Sequence, residues 1–160
     1  SLIGRFVGAN DMGRTNQVIF SGFLVALGYT AILAIIFVVY RMPLVEIFIS
    51  PGEYYQDIQE LTGFMMLGLA TYVMADAVRL VSGAVLRGAG DTRWLMLSSV
   101  ALYWTMLLAQ YFIIRVFEYG PRVSWVAFVI MILSITVIYL MRLNGGKWRD
   151  PAVLKLIMSE

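Results

Sequence analysis

The chain contains no cysteine and no histidine. The first absence excludes disulfides and thiolate metal sites; the second excludes imidazole as a catalyst or metal ligand. Charge is also scarce. Only 14% of the 160 residues are Asp, Glu, Lys or Arg, where an ordinary soluble domain has about 25%. In their place stand 61% hydrophobic residues and a mean hydropathy of +0.82. A core built from so short a chain cannot hide that much apolar surface, so a lipid bilayer is the expected solvent. The net charge of +2 and pI of 9.0 are modest. The basic residues are dispersed between apolar runs, which leaves no nucleic-acid patch and no nucleic-acid partner. Ser98, Ser99 and Thr105 lie in apolar runs with no base to activate them, so an enzyme is not expected.

Four apolar runs are long enough to cross the hydrocarbon core, which takes about 20 helical residues. They cover approximately 18–40, 61–86, 94–114 and 123–141. Backbone polar groups in lipid must be satisfied within the segment, and the runs lack strand alternation, so they are expected to be helices. The fold class that follows is all-α: a polytopic membrane helix bundle of four full spans. "SLIGRFVGAND" at the start reads as the end of a preceding span, which marks the chain as a piece of a longer protein.

Polar or glycine-bearing stretches join the runs: 8–17, 41–60 with Pro43 and Pro51, 87–93, and 118–122. Asp91 or Thr92 is placed to cap the helix after the third of these. Asp150 before Pro151 suggests a short final helix in a tail covering 142–160. Loops at one end carry Arg5, Arg14, Arg87, Arg93, Arg142, Lys147, Arg149 and Lys155, and those at the other carry Arg41, Arg115 and Arg122. The positive-inside rule puts the first set, the tail and the C-terminus in the cytoplasm. Trp94 and Trp125, with Tyr40, Tyr54, Tyr55 and Tyr119, lie near run ends as interfacial aromatics do, while Trp104 falls deeper.

"YVMADAVRLVSGAVLRGAGDTRW" (72–94) is the most informative stretch. Asp76 stands 15 residues into the second run, near the midplane if the whole run spans. A carboxylate there costs on the order of 2.5–3.5 kcal/mol on insertion scales, and such groups usually face a bundle interior or a wet cavity. Tyr72 is four residues earlier and Arg79 three later, so the three share a face. Tyr72 can hydrogen-bond the carboxylate or help ligate a cation. Desolvation favours the neutral form of any carboxyl and a neighbouring cation favours the ionised form, so proton and cation binding both stay open. Arg79 competes with Na⁺ for the carboxylate, or snorkels towards the interface; a switch in which it releases Asp76 fits both observations. The bland alternative is an ion pair that only holds helices together.

Gly83, Gly88 and Gly90 flank Arg87 and precede Asp91 and Thr92. They suit either a hinge between moving helices or, slightly favoured, close packing and a tight turn. The turn is not a phosphate cradle, because the Lys-Ser/Thr of a P-loop is missing.

"GRFVGAND", "YVMADAVRLVSGAVLRGAGDTR" and "GGKWRD" together resemble the multidrug and toxic compound extrusion (MATE) family, with LRGAGDT the most characteristic element. The likeness covers nearly the whole chain and is strongest to the end of the C-terminal half of NorM-like members. It implies a two-lobed, twelve-helix transporter of the bacterial inner membrane, of which this chain holds the end of the eighth helix and helices nine to twelve. The expected partners are the bilayer, the N-terminal lobe of the same transporter, and a small cationic or amphipathic substrate. No cofactor is expected beyond Na⁺ or H⁺ as coupling ion. The resemblance places Asp76 at a cation-binding aspartate, the one expected metal ligand, with Tyr72 one turn before it. Arg79 departs from the pattern, where NorM-like members carry Gln, and tilts the expectation towards H⁺ or a rearranged site. Lipid-linked oligosaccharide and polysaccharide exporters share the Gly-Asp-Thr motif and form the alternative, as does a scaffold that transports nothing.

Overall fold

The computed structural model describes residues 2–9, 11–48, 55–146 and 148. The described residues form an all-α bundle: α1 (Leu2–Gly8), α2 (Met12–Val39), α3 (Arg41–Phe48), α4 (Tyr55–Gly88), α5 (Thr92–Tyr111), a π-helical turn (Phe112–Val116) and α6 (Pro121–Asn144). α2, α4, α5 with its π turn, and α6 are each long and apolar enough to cross a membrane. α4 is the central element, with α2 and α6 packed along it. The core is small, centred on Leu86, Leu95, Ile135 and Tyr139, while Phe20, Leu24, Ile35, Trp104 and Met141 point outward. Large apolar side chains facing outward are what a lipid solvent permits.

Several boundaries differ from expectation. α2 begins at Met12 rather than Val18, because Asp11 caps it and accepts a 3.1 Å bond from the Arg14 amide. The 41–60 segment is no simple loop. Residues 41–48 form α3, with Pro43 in its first turn, where the missing N–H is harmless. α4 then starts at Tyr55, six residues before the apolar run. The last helix starts on Pro121, whose ring pre-sets the first turn, and continues to Asn144, so 142–144 are helix rather than tail. The Asp150–Pro151 cap and the tail beyond it lie outside the described residues.

Two ion pairs mark the ends of the bundle. Arg142 at the end of α6 donates to Asp91 after α4 at 2.8 Å. Arg122 at the start of α6 donates to Glu60 near the start of α4, also at 2.8 Å. The 87–93 turn and the C-terminus of α6 therefore share one end, as the alternation of loops requires.

Candidate functional site

Asp76 stands ten residues before Leu86, roughly 15 Å along the helix at 1.5 Å per residue. That is about half the hydrocarbon thickness. Arg79 donates to it from Nε at 2.9 Å and from Nη2 at 2.5 Å. Both bonds end on Oδ1; among the described residues none reaches Oδ2. The two side chains are 21% and 19% exposed, so the pair is largely desolvated with one carboxylate oxygen uncommitted. The pair also lies within a single helix. Among the described residues, the hydrogen bonds of the pair stay within α4, and its reach to α5 and α6 is electrostatic, through Arg79 towards Tyr103 and Tyr139.

The face that carries the pair looks towards α5 and α6. Tyr72 sits one turn before Asp76, its ring stacked on Phe128 at 5.8 Å between centroids. Among the described residues, no hydrogen bond joins Tyr72 to Asp76. Thr136, buried on α6, donates to the Ala75 carbonyl at 3.1 Å and pins α6 beside the carboxylate. Tyr103 and Tyr139 lie within electrostatic range of Arg79. Tyr139 shares a 2.7 Å hydrogen bond with Ser99 and meets the edge of Trp94 at 5.8 Å. Tyr103, Tyr139 and Thr136 are site neighbours that sequence reasoning missed. The available signal was only a polar atom inside an apolar run, which Ser and Thr share when they bond their own helix.

The glycines divide by role. Gly83 is buried, and a Cβ there would stand 3.5 Å from the Tyr139 ring, an ordinary contact, so the packing of α4 on α6 does not depend on glycine at this position. Gly90 has φ +90°. It closes α4 in a Schellman turn: the Asp91 amide donates to Leu86 at 2.9 Å and the Gly90 amide to Arg87 at 3.1 Å. Gly88 is the last residue of α4, and Arg87 projects outward in its last turn. Thr92 is the first residue of α5. Asp91 stands at the N-cap position but its side chain does not cap; it takes the Arg142 guanidinium instead, which also lies 5.1 Å over the Trp94 ring. A carboxylate recruited by a cation 51 residues away gains a charge-assisted bond, stronger than a neutral cap.

These features define a polytopic helical membrane protein with a desolvated acid–base pair inside one span. The MatE family profile matches residues 1–112, and the chain belongs to that family, the multidrug and toxic compound extrusion proteins. It is 25% identical over 158 residues to a probable multidrug resistance protein NorM of Pasteurella multocida, covering 96% of this chain and 33% of the relative. It is 23% identical over 157 residues to the multidrug resistance protein MdtK of Photorhabdus laumondii, covering 95% and 34%. The MdtK of Yersinia enterocolitica is 24% identical over 147 residues, covering 89% and 31%. The chain thus spans about a third of the length of these relatives. No solved structure matches it.

Proposed function

We propose that this chain supplies the coupling half-site of a secondary exporter of drugs or other amphipathic compounds, with Asp76 as the group that binds the driving cation. The observation that carries it is the Oδ1-only grip of Arg79 on Asp76, which leaves Oδ2 open within a membrane span. In one state the guanidinium neutralises the carboxylate. In the other, a proton on Asp76 replaces that neutralisation and frees Arg79. Alternating access changes the surroundings of the pair, and the difference in affinity between the two states moves the population. A tenfold difference is worth about 1.4 kcal/mol. H⁺ is favoured over Na⁺ because a resident guanidinium competes with a metal cation, while a proton removes the charge that holds it. Tyr72, one turn away, is positioned to add its hydroxyl once Arg79 departs. The relatives' names, multidrug resistance proteins, support the class of cargo.

Basic residues weight the end that holds Arg87, Arg93 and Arg142, which supports a cytoplasmic placement of that end and of the C-terminus; the bacterial relatives support the inner membrane as the location. The rest of a two-lobed transporter completes the cavity.

The test uses the intact protein in proteoliposomes with a fluorescent cationic dye inside. Dye movement is compared under a pH gradient, a Na⁺ gradient and neither. Movement driven by the pH gradient alone supports the proposal. Equal movement under all three conditions removes coupling from it.

A further inference from the structure

At the end of the bundle opposite the LRGAGDT turn, α4, α5, the π turn and α6 line an open cavity of about 450 Å³. That volume lies within the range of small-molecule sites. Its walls are aromatic and amide groups: Trp125, Phe128, Tyr119 and Gln110, with Ser124 and Met65. Among the described residues, no acidic or basic side chain lines it.

Four observations converge there. The Trp125 indole N–H is buried and has no hydrogen-bond partner among the described residues. It is pressed against Gly68, where an added Cβ would overlap the indole nitrogen. A buried donor with no acceptor is costly, and native structures rarely leave one without reason. Beside it, Gln110 and Ser124 clasp each other: the Ser124 hydroxyl donates to Gln110 Oε1 at 2.6 Å, and Gln110 Nε2 donates to the Ser124 carbonyl at 3.1 Å. Directly after Gln110 the helix changes to π geometry over Phe112–Val116, and Glu118 then adopts φ +50°. π turns and left-handed non-glycine residues gather at functional sites. Finally, the Trp125 ring stacks on Phe128 at 5.5 Å and 17°, and Phe128 stacks on Tyr72 at 5.8 Å, one turn from Asp76. The aromatic ladder thus runs from the cavity to Tyr72, one turn before Asp76.

We infer that this cavity binds an uncharged planar aromatic compound carrying a hydrogen-bond acceptor, which stacks on Phe128 and takes the idle Trp125 N–H. Rotation of the indole about its side-chain bonds carries the N–H from Gly68 to the cavity. The Gln110–Ser124 clasp fixes one wall and offers a second polar edge. The absence of lining charge selects neutral over cationic rings, so the site differs in chemistry from one built around Asp76. That the ligand is cargo rests on the transport proposal; that the cavity binds it does not.

The experiment uses the intact protein in lipid nanodiscs and two fluorescent probes read by polarisation: acridone, planar with a carbonyl acceptor, and anthracene, the same shape without one. Saturable acridone binding absent from empty nanodiscs is expected, with anthracene at least tenfold weaker. Trp125→Phe should abolish the preference for acridone, while Trp104→Phe keeps it. Asp76→Asn should leave acridone binding unchanged whatever it does to transport, which separates this inference from the coupling proposal. Equal binding of the two probes, no saturable binding above empty nanodiscs, or a preference that survives Trp125→Phe would each overturn it.

Discussion

Arg79 donates both its hydrogen bonds to a single oxygen of Asp76, and the two residues are three apart on the same helix. A pair placed this way contributes little to holding the bundle together. Its hydrogen bonds are internal to α4, and α4 is anchored to α6 by other contacts, such as Thr136 on the Ala75 carbonyl. In the proposed cycle, the Arg79 guanidinium is the group that the driving cation must displace from Asp76.

Removing the guanidinium should therefore change ion choice rather than folding. Arg79→Gln is expected to stay folded, with a melting temperature lowered by the unpaired Asp76 carboxylate, while allowing a Na⁺ gradient to drive dye export, because the resident competitor for the carboxylate is gone. Flux assays with matched Na⁺ and pH gradients check this. An unfolded variant would return Arg79 to a structural role.

The Asp91–Arg142 pair is a different case, because it joins the turn after α4 to the end of α6. Its side chains are 14% and 22% exposed, too buried for the near-zero value of surface pairs. A double-mutant cycle with Asp91→Asn and Arg142→Gln is expected to give a coupling of about 1 kcal/mol or more. Thermal unfolding in detergent reads it. A coupling near zero would make this contact incidental.

Gly83 and Gly90 should respond oppositely to alanine. At Gly83 a methyl meets the Tyr139 ring at 3.5 Å, an ordinary contact. Helix propensity then favours Ala by roughly 0.5–1 kcal/mol. At Gly90 the φ of +90° disfavours any Cβ, and Gly90→Ala should lose about 1–2 kcal/mol. Melting temperatures of the two variants should lie on either side of the wild type.

Gly68→Ala places a methyl where the Trp125 indole nitrogen sits. The ring is expected to swing into the cavity it borders, so acridone binding should weaken at least tenfold while Asp76-dependent transport persists. Probe polarisation and dye flux on one preparation measure both.

Most of this architecture is legible in the sequence because apolar length and the bilayer constraint leave few alternatives. The four spans, the Asp76–Arg79 face and the tight turn at Gly90 all follow from spacing. What escapes is set by distant partners. Asp91 reads as a cap, and nothing near it in sequence announces Arg142. Pro43 reads as a loop former until it is placed in a helix's first turn. The π turn at 112–116 has no compositional mark, since Phe-Ile-Ile-Arg-Val suits an α-helix equally well. The clasp of Gln110 with Ser124 depends on how α5 and α6 meet.

The most direct measurement is uphill accumulation of the cationic dye by Asp76→Asn in proteoliposomes, set against downhill equilibration of the same dye. The variant should equilibrate dye as the wild type does yet accumulate none against its gradient, because the carrier moves but no longer couples to the driving cation. Uphill accumulation at the wild-type rate would contradict the assignment of Asp76 as the coupling group.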